Sequence, residues 1–304
     1  MGARDWSLLI ALSLLWGGTF LFVGVAVAQV PPFTIVLIRV GLAAFALHLV
    51  MGLAGTRLPL SVPLVMAFAT MALVNNVIPF CLLVWGQTRI ASGLAAILNA
   101  ATPFFTVIVA HLATQDERLT AARLAGTVMG MAGVAVMIAP ATGTAGLGGD
   151  ILAKAACVGA ALSYAVASLY GRRFRPMGVT ALQTAAGQLT ASTLLLLPVA
   201  LVVDRPWTLD VPDGATLAAL GALALLSTAL AYILYFRILA SAGATNLMLV
   251  TLLIPVTAVI LGLLVLGERL GLSALAGMAL IAVGLGVIDG RVIGWLRGLT
   301  RPPG

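Results

Sequence analysis

The fold of this chain is decided by the stretch ERLTAARLAGTVMGMAG, residues 117–133, because residues 268–284 repeat it as ERLGLSALAGMALIAVG. Both copies keep an opening Glu-Arg-Leu, a Leu-Ala-Gly triplet four residues later and a final glycine after six more. A proline stands upstream of each copy, at Pro103 and Pro255. Two matching apolar halves are typical of secondary transporters, which bind substrate where their internal repeats meet.

The composition assigns the chain to the lipid bilayer. Of the 304 residues, 62% are hydrophobic and only 8% are charged, so a soluble fold could not bury the apolar surface. The net charge of +7 comes mostly from arginines at the ends of apolar runs, without a basic stripe of interleaved aromatic residues. This pattern predicts charges that orient membrane spans, and it argues against nucleic-acid binding.

Ten apolar segments have the roughly 20-residue length that a membrane-spanning helix needs. They lie at roughly 6–28, 33–54, 61–84, 93–113, 120–140, 151–171, 179–202, 213–237, 245–266 and 272–292. The first is longer than the apolar core of a signal peptide, so we interpret it as a retained helix. We therefore predict an all-α membrane protein of about ten helices in two five-helix repeats, residues 1–143 and 144–304.

The orientation of the chain follows from an odd number of spans per repeat and from the basic residues. Five spans per half insert the two halves with opposite orientations. Of the 16 basic residues, eleven fall on the side of the N-terminus and four on the opposite side, with Arg39 inside a span. The bias predicts that both termini lie in the cytoplasm.

Two mid-span prolines predict a pair of polar helix breaks. Aligning Pro103 with Pro255 matches Asn99 with Thr251. Proline donates no N–H and crowds the carbonyl four residues back, which belongs here to Asn99 or Thr251. A freed carbonyl in the bilayer must find another donor or face a cavity. The prolines therefore indicate hinges beside a polar site, or bends that only shape the bundle.

Adjacent amides in the third span mark a second polar position. The same alignment matches Asn75-Asn76 with Ser227-Thr228, and Pro79 is expected to free the carbonyl of Asn75. Two amides in hydrocarbon are costly unless they are satisfied inside the bundle. They are interpreted either as contacts to substrate or water, or as hydrogen bonds that join helices.

Arg39 is the basic residue placed well inside a span, about six residues from its outer end, or roughly 9 Å. It is expected to hold a substrate carboxylate in a cavity or to extend towards the interface. The full set of candidate substrate contacts is Arg39, Asn75, Asn76, Asn99, Tyr164, Gln188, Thr228, Tyr232 and Thr251. The candidate hinges are Gly17, Gly18, Pro79, Pro103 and Pro255.

Other residues have structural interpretations. The glycines of spans five and ten predict close helix packing, so these spans are expected to support the bundle. Glu117 and Glu268 are expected to cap helices or pair at the interface, and Cys81 and Cys157 to be buried free thiols. The chain contains no nucleotide-binding P-loop, no metal-ligand spacing and no hydrolase motif, so neither a cofactor nor a metal nor an enzymatic activity is predicted.

The set of ten spans, inverted halves, Trp16-Gly17, Arg39 and the paired prolines resembles the EamA-type family of the drug/metabolite transporter superfamily. One departure is Val166-Ala167 where the second half would repeat Trp16-Gly17. The resemblance covers nearly the whole chain. It implies ten helices around a central cavity, with spans five and ten outside, and export of amino acids or related metabolites from the bacterial cytoplasm through the inner membrane.

Without the resemblance, the residues alone predict a secondary transporter of small solutes. Its predicted partners are a small-molecule substrate and the lipid bilayer. Import or exchange of drug-like or nucleotide-sugar cargo is an alternative. A non-transporting membrane scaffold is another, although paired polar residues at mid-span argue against it. The sequence is compatible with a monomer.

Overall fold

The computed structural model describes residues 2–113, 120–138, 151–247 and 249–289, and within these ranges it contains helices and no β-strand. Glu117 and the division after residue 143 lie outside the described residues. The α-helices are α1 Ala3–Ala26, α2 Pro32–Leu53, α3 Val62–Ala72, α4 Ile78–Gln87, α5 Ser92–Asn99, α6 Thr102–Ala113, α7 Ala121–Ile138, α8 Ile151–Tyr170, α9 Ala181–Val203, α10 Gly214–Ala224, α11 Ala231–Leu247, α12 Val250–Val265 and α13 Leu272–Asp289. Short 3₁₀ turns follow α8 and α9.

Helix length and apolarity confirm the prediction of an all-α membrane protein. Within the described residues, seven helical stretches of 22 to 26 residues are long and apolar enough to cross a bilayer. They are Arg4–Ala26, Pro32–Leu53, Val62–Gln87, Ser92–Ala113, Ile151–Phe174, Ala181–Val203 and Gly214–Leu239. Three shorter apolar helices cover the remaining predicted spans, so the count of ten spans stays a prediction.

Large apolar side chains on the outer surface fit a lipid solvent. Phe45, Leu53, Leu194 and Leu264 are all more than 65% exposed, and they lie on three different helices. A soluble monomer seldom exposes such extended apolar surface. In hydrocarbon the same surface requires no cover, and the interior can hold the polar groups instead.

Two π-helical segments interrupt long helices at positions related by the sequence alignment. Leu73–Val77 separates α3 from α4, and Leu225–Leu230 separates α10 from α11. The first contains Asn75 and Asn76, and the second contains the residues aligned with them. Insertion of a π turn rotates every following side chain about the helix axis, and such turns are frequent at functional sites. Both therefore bring polar side chains to the interior.

Glycines bring α7 and α13 into close antiparallel contact. A Cβ atom on Gly126 would lie 2.5 Å from the carbonyl oxygen of Gly284, and one on Gly133 would lie 2.7 Å from that of Gly277. In the sequence alignment Gly126 matches Gly277 and Gly133 matches Gly284, so the two contacts exchange under the repeat. Backbones this close leave no room for a side chain, as the glycine spacing predicted.

Two charged side chains near helix ends cap helices of other parts of the chain. The Glu268 carboxylate accepts hydrogen bonds from the amides of Ser92 and Gly93, at 2.7 and 3.0 Å, and so caps the start of α5. Lys154 is buried, and its ammonium donates to the carbonyl of Met137 in the last turn of α7 at 2.9 Å. From the sequence, Lys154 is one of the four basic residues assigned to the side opposite the N-terminus. The ammonium can be buried because this carbonyl accepts a hydrogen bond from it inside the bundle.

The α7–α13 contact predicts that one added methyl group at the helix interface will destabilise the protein. Gly133→Ala should lower the thermal unfolding temperature in detergent, because the added Cβ overlaps the backbone of α13 and overpacking costs about 1–3 kcal/mol. Gly221→Ala is the matched control, since nothing lies within 4 Å of a Cβ there. Alanine favours a helix over glycine, so the control should be neutral or slightly stabilising. Equal unfolding temperatures for the two variants would contradict the packing.

Candidate substrate site

Six of the nine candidate contacts come together inside the bundle, on segments far apart in sequence. Arg39 belongs to α2, Gln188 to α9 and Tyr232 to α11, and the π segments supply the other three. The six residues are Arg39, Asn75, Asn76, Gln188, Thr228 and Tyr232. We refer to them as the polar cluster.

Arg39 is buried in the bundle, with 6% of its surface exposed. Its Nε donates to the Thr228 hydroxyl at 3.0 Å, and its Cζ lies 3.6 Å from the centre of the Phe80 ring. Tyr164 and Tyr232 lie close enough to interact with it electrostatically. Within the described residues, its two terminal amino groups donate no hydrogen bond and meet no carboxylate. The side chain therefore points into the bundle and does not extend to the interface.

The amides of the polar cluster form a network across helices. Asn75 Nδ2 donates to Gln188 Oε1 at 3.1 Å and to the Tyr232 hydroxyl at 3.2 Å. Gln188 Nε2 also reaches this hydroxyl, at 3.4 Å. Because the Tyr232 oxygen accepts two N–H groups, its own hydrogen stays available to a further acceptor.

The adjacent amides have different surroundings. Asn76 is fully buried and donates to Ser192 Oγ at 3.0 Å, and Ser192 in turn donates to the Gln188 carbonyl. Asn75 keeps part of its surface exposed. Asn76 thus joins helices, the second of its two interpretations, whereas Asn75 is free to contact a solute. Ser192 carried no signal in the sequence, because a serine on an apolar helix is ordinary.

The carbonyl freed by Pro79 differs from the one expected. In a π register the amide of residue i pairs with the carbonyl of i−5, so Pro79 leaves the Val74 carbonyl without a helical donor. Ser163 Oγ of α8 donates to this carbonyl at 2.7 Å. The sequence interpretation placed the freed carbonyl at Asn75 because it assumed α-helical spacing.

The two other prolines have unlike surroundings. The helix of the fourth span breaks between α5 and α6, just before Pro103, and the Asn99 carbonyl accepts from Thr102 Oγ1 at 2.7 Å. The Asn99 Oδ1 atom is buried without a hydrogen-bond partner in the described part of the chain. In contrast, α12 runs unbroken from Val250, with Thr251 in its first turn, through Pro255. On the preceding helix α11, Gly243 has a non-helical backbone, with φ of 78°.

Gly17 and Gly18 lie within α1, which is one continuous helix. A Cβ on Gly17 would collide with the side chain of Thr257 on α12, whereas one on Gly18 would only touch the Phe22 ring, at 3.4 Å. Thr257 Oγ1 also donates to the Ser13 carbonyl at 2.9 Å. Gly17 therefore permits close helix contact, and a hinge at either glycine stays a prediction.

Aromatic rings surround the polar cluster, and an open groove lies next to it. Phe80 faces Tyr164 with ring centres 6.4 Å apart, and Tyr232 stacks on Phe236 at 6.1 Å. Phe236 also lines a groove of about 280 Å³, together with Val50, Leu182, Ile233 and Arg237. The groove lies where α2 ends and α9 begins, one helical turn from Tyr232.

The residues described give no sign of a metal or redox centre. Among them, no three His, Cys, Asp or Glu side chains are close enough to hold a metal ion. Cys81 and Cys157 are both free thiols, and only Cys157 is fully buried.

Spanning apolar helices and a polar cluster buried between them define a polytopic helical membrane protein of the transporter class. The chain belongs to the EamA-like transporter family, which it matches over residues 6–139 and 147–288. The recognition made from the sequence is therefore confirmed.

Several relatives match nearly the whole chain. The protein is 28% identical to a probable terminal-alkyne amino-acid exporter of Streptantibioticus cattleyicolor, with 98% of this chain and 97% of that one covered. It is 26% identical to a probable amino-acid metabolite efflux pump of Escherichia coli, with 94% of each chain covered. A solved crystal structure shares the fold, with a TM-score of 0.66, 20% identity and coverage of 99% of this chain and 100% of the other.

Because Asn75 is partly exposed and Asn76 is buried, cysteines at the two positions should react with a thiol reagent at different rates. With Cys81 and Cys157 replaced by alanine, Asn75→Cys should react with a membrane-impermeant maleimide, and Asn76→Cys should react at least about tenfold more slowly. The reason is that Asn76 is enclosed whereas Asn75 is partly exposed. Labelling is measured by mass shift in inverted and right-side-out vesicles. Equal reactivity at the two positions would contradict this arrangement.

Proposed function

We propose that this protein is a secondary transporter that exports amino acids or related small carboxylate metabolites across the bacterial inner membrane by alternating access. The observation that carries the proposal is the buried Arg39 guanidinium, whose terminal amino groups meet no carboxylate among the described residues. A charge held in a low-dielectric interior is costly unless it is paired. A substrate carboxylate would supply the missing partner.

The geometry of an arginine suits this task. Its planar guanidinium offers five N–H donors, and the pair of terminal amino groups can hold a carboxylate through two parallel hydrogen bonds. Here Nε is already engaged by Thr228, which fixes the plane of the group. The Phe80 ring at 3.6 Å stabilises the cation on one face while the site is empty.

Both proposed repeats contribute to the polar cluster. With repeats at 1–143 and 144–304, Arg39 and Asn75 come from the first half, and Thr228, Gln188 and Tyr232 from the second. The hydrogen bonds that join them therefore cross the boundary between the halves. In alternating access the halves rock around a fixed site, so these are the contacts that substrate binding would reorganise.

Access from one side is supported by the groove beside Phe236. It lies at the end of the bundle that the basic residues predict to be cytoplasmic, and Phe236, which stacks on Tyr232 of the polar cluster, lines it. A solute entering from the cytoplasm would reach Tyr232 by displacing the Phe236 ring. The direction agrees with the two relatives named as an exporter and an efflux pump.

The charge of Arg39 is the first part to test. Arg39→Leu should lower transport of carboxylate solutes by about 100-fold or more, since removing one partner of a buried ion pair typically costs about 3–5 kcal/mol. Arg39→Lys keeps the charge but loses the paired donors, so it should retain part of the activity. The measurement is counterflow in proteoliposomes, screened against all amino acids and their simple metabolites.

The matched control is Arg57→Leu, because this arginine is exposed at the end of α2, away from the polar cluster. It should transport as the unmodified protein does. Thermal unfolding and gel filtration establish that each variant is folded. Wild-type counterflow by folded Arg39→Leu would sink the proposal, as would failure of the unmodified protein to move any carboxylate solute.

A further inference from the structure

We infer that the transported solute is a carboxylate monoanion without an ammonium group, such as an N-acyl amino acid, a 2-oxo acid or a 2-hydroxy acid. The inference rests on the proposed function and narrows its substrate class. It follows from the charge balance of the polar cluster and from the count of its hydrogen-bond donors and acceptors.

Among the residues whose side chains the structure describes, no carboxylate contacts Arg39. Of the nine acidic residues, the five whose side chains the structure describes lie in connections or at the first turn of α1: Asp5, Asp204, Asp210, Asp213 and Glu268. The other four lie, by sequence, between predicted spans or at the end of the last: Asp116, Glu117, Asp150 and Asp289. An ammonium group entering the polar cluster would therefore lie beside a buried cation, with no described carboxylate in contact with the cluster.

The polar cluster has several free hydrogen-bond donors. Four N–H hydrogens of Arg39 and the hydrogen of the Tyr232 hydroxyl have no acceptor in the part of the chain that the structure describes. The Tyr164 hydroxyl, beside Arg39, is also unpaired there. Such an arrangement suits a carboxylate, which only accepts hydrogen bonds.

The acceptors available to an ammonium group are neutral. Gln188 Oε1 already accepts from Asn75, and the Tyr232 oxygen accepts from both amides. The Asn75 Oδ1 atom accepts no hydrogen bond in the described structure, and Gln188 Oε1 keeps one lone pair. An ammonium could donate to these amide oxygens, but they are neutral and would not supply the negative charge that its burial beside Arg39 requires.

Charge balance leads to the same class of solute. A zwitterion has no net charge, so it leaves the Arg39 site with its full positive charge during the crossing. A monoanion makes the loaded site neutral, which lowers the cost of enclosing it in the bilayer. The rings of Phe80 and Tyr164 then offer apolar contact to the uncharged remainder of the solute.

The test compares two classes of solute, zwitterions and monoanions, in one preparation. Proteoliposomes are loaded at equal concentrations with the protein amino acids that have uncharged side chains, their N-acetyl derivatives and, except for proline, the corresponding 2-oxo acids, and the released solutes are identified by mass spectrometry. We expect release of one or more acetyl or oxo compounds at least tenfold faster than of the parent amino acid. Liposomes with Arg39→Leu correct for leakage.

Three results have separate meanings. Release of free amino acids at a rate equal to or above that of their derivatives overturns this inference and leaves the proposed function standing. Release of neither class above the Arg39→Leu liposomes overturns both. Preferential release of a monoanion supports both.

A second variant tests the cause of the preference. Asn75→Asp adds a carboxylate of nearly the same shape beside Tyr232 and Gln188. This substitution should lower the rate of monoanion release at least tenfold. It should also raise the ratio of the zwitterion release rate to the monoanion release rate. An unchanged ratio in a folded Asn75→Asp protein would show that the charge of the cluster does not set the selectivity.

Discussion

The structure depends on one buried cation, Arg39, held between helices of both halves of the chain. A guanidinium at this depth is tolerated because Thr228 accepts from its Nε and the Phe80 ring covers one face, yet neither group removes its charge. The surrounding tyrosines and amides supply dipoles, and no described carboxylate pairs with it. A carboxylate solute would neutralise the positive charge of Arg39 that these groups leave unpaired.

The helices around this cation are irregular where it requires polar groups. Two π segments turn Asn75 and Thr228 towards the interior, and Ser163 satisfies the backbone carbonyl that Pro79 leaves unpaired. In contrast, α7 and α13 contact each other through glycines and contribute nothing to the polar cluster. Polar irregularity and close apolar packing are therefore found on different helices.

Much of this arrangement could be predicted from the sequence. Hydropathy gave the spans, and the rarity of polar groups in them singled out Arg39, Asn75 and Gln188, since each such group needs a reason to lie in hydrocarbon. The freed carbonyl was assigned one residue too late, because a π turn leaves no mark in composition. Ser192 and the burial of Lys154 were missed for a related reason: their roles depend on partners that only the packed helices bring close.

The central claim is that a solute carboxylate binds the terminal amino groups of Arg39. Solid-state NMR of the protein in liposomes, with ¹⁵N-arginine and a transported solute labelled with ¹³C at its carboxylate, measures this contact directly. A bidentate pair predicts a dipolar coupling that corresponds to a carbon–nitrogen distance within about 4 Å, and the coupling should vanish in Arg39→Lys. Bound solute without this coupling, or with the same coupling in Arg39→Lys, would contradict the account.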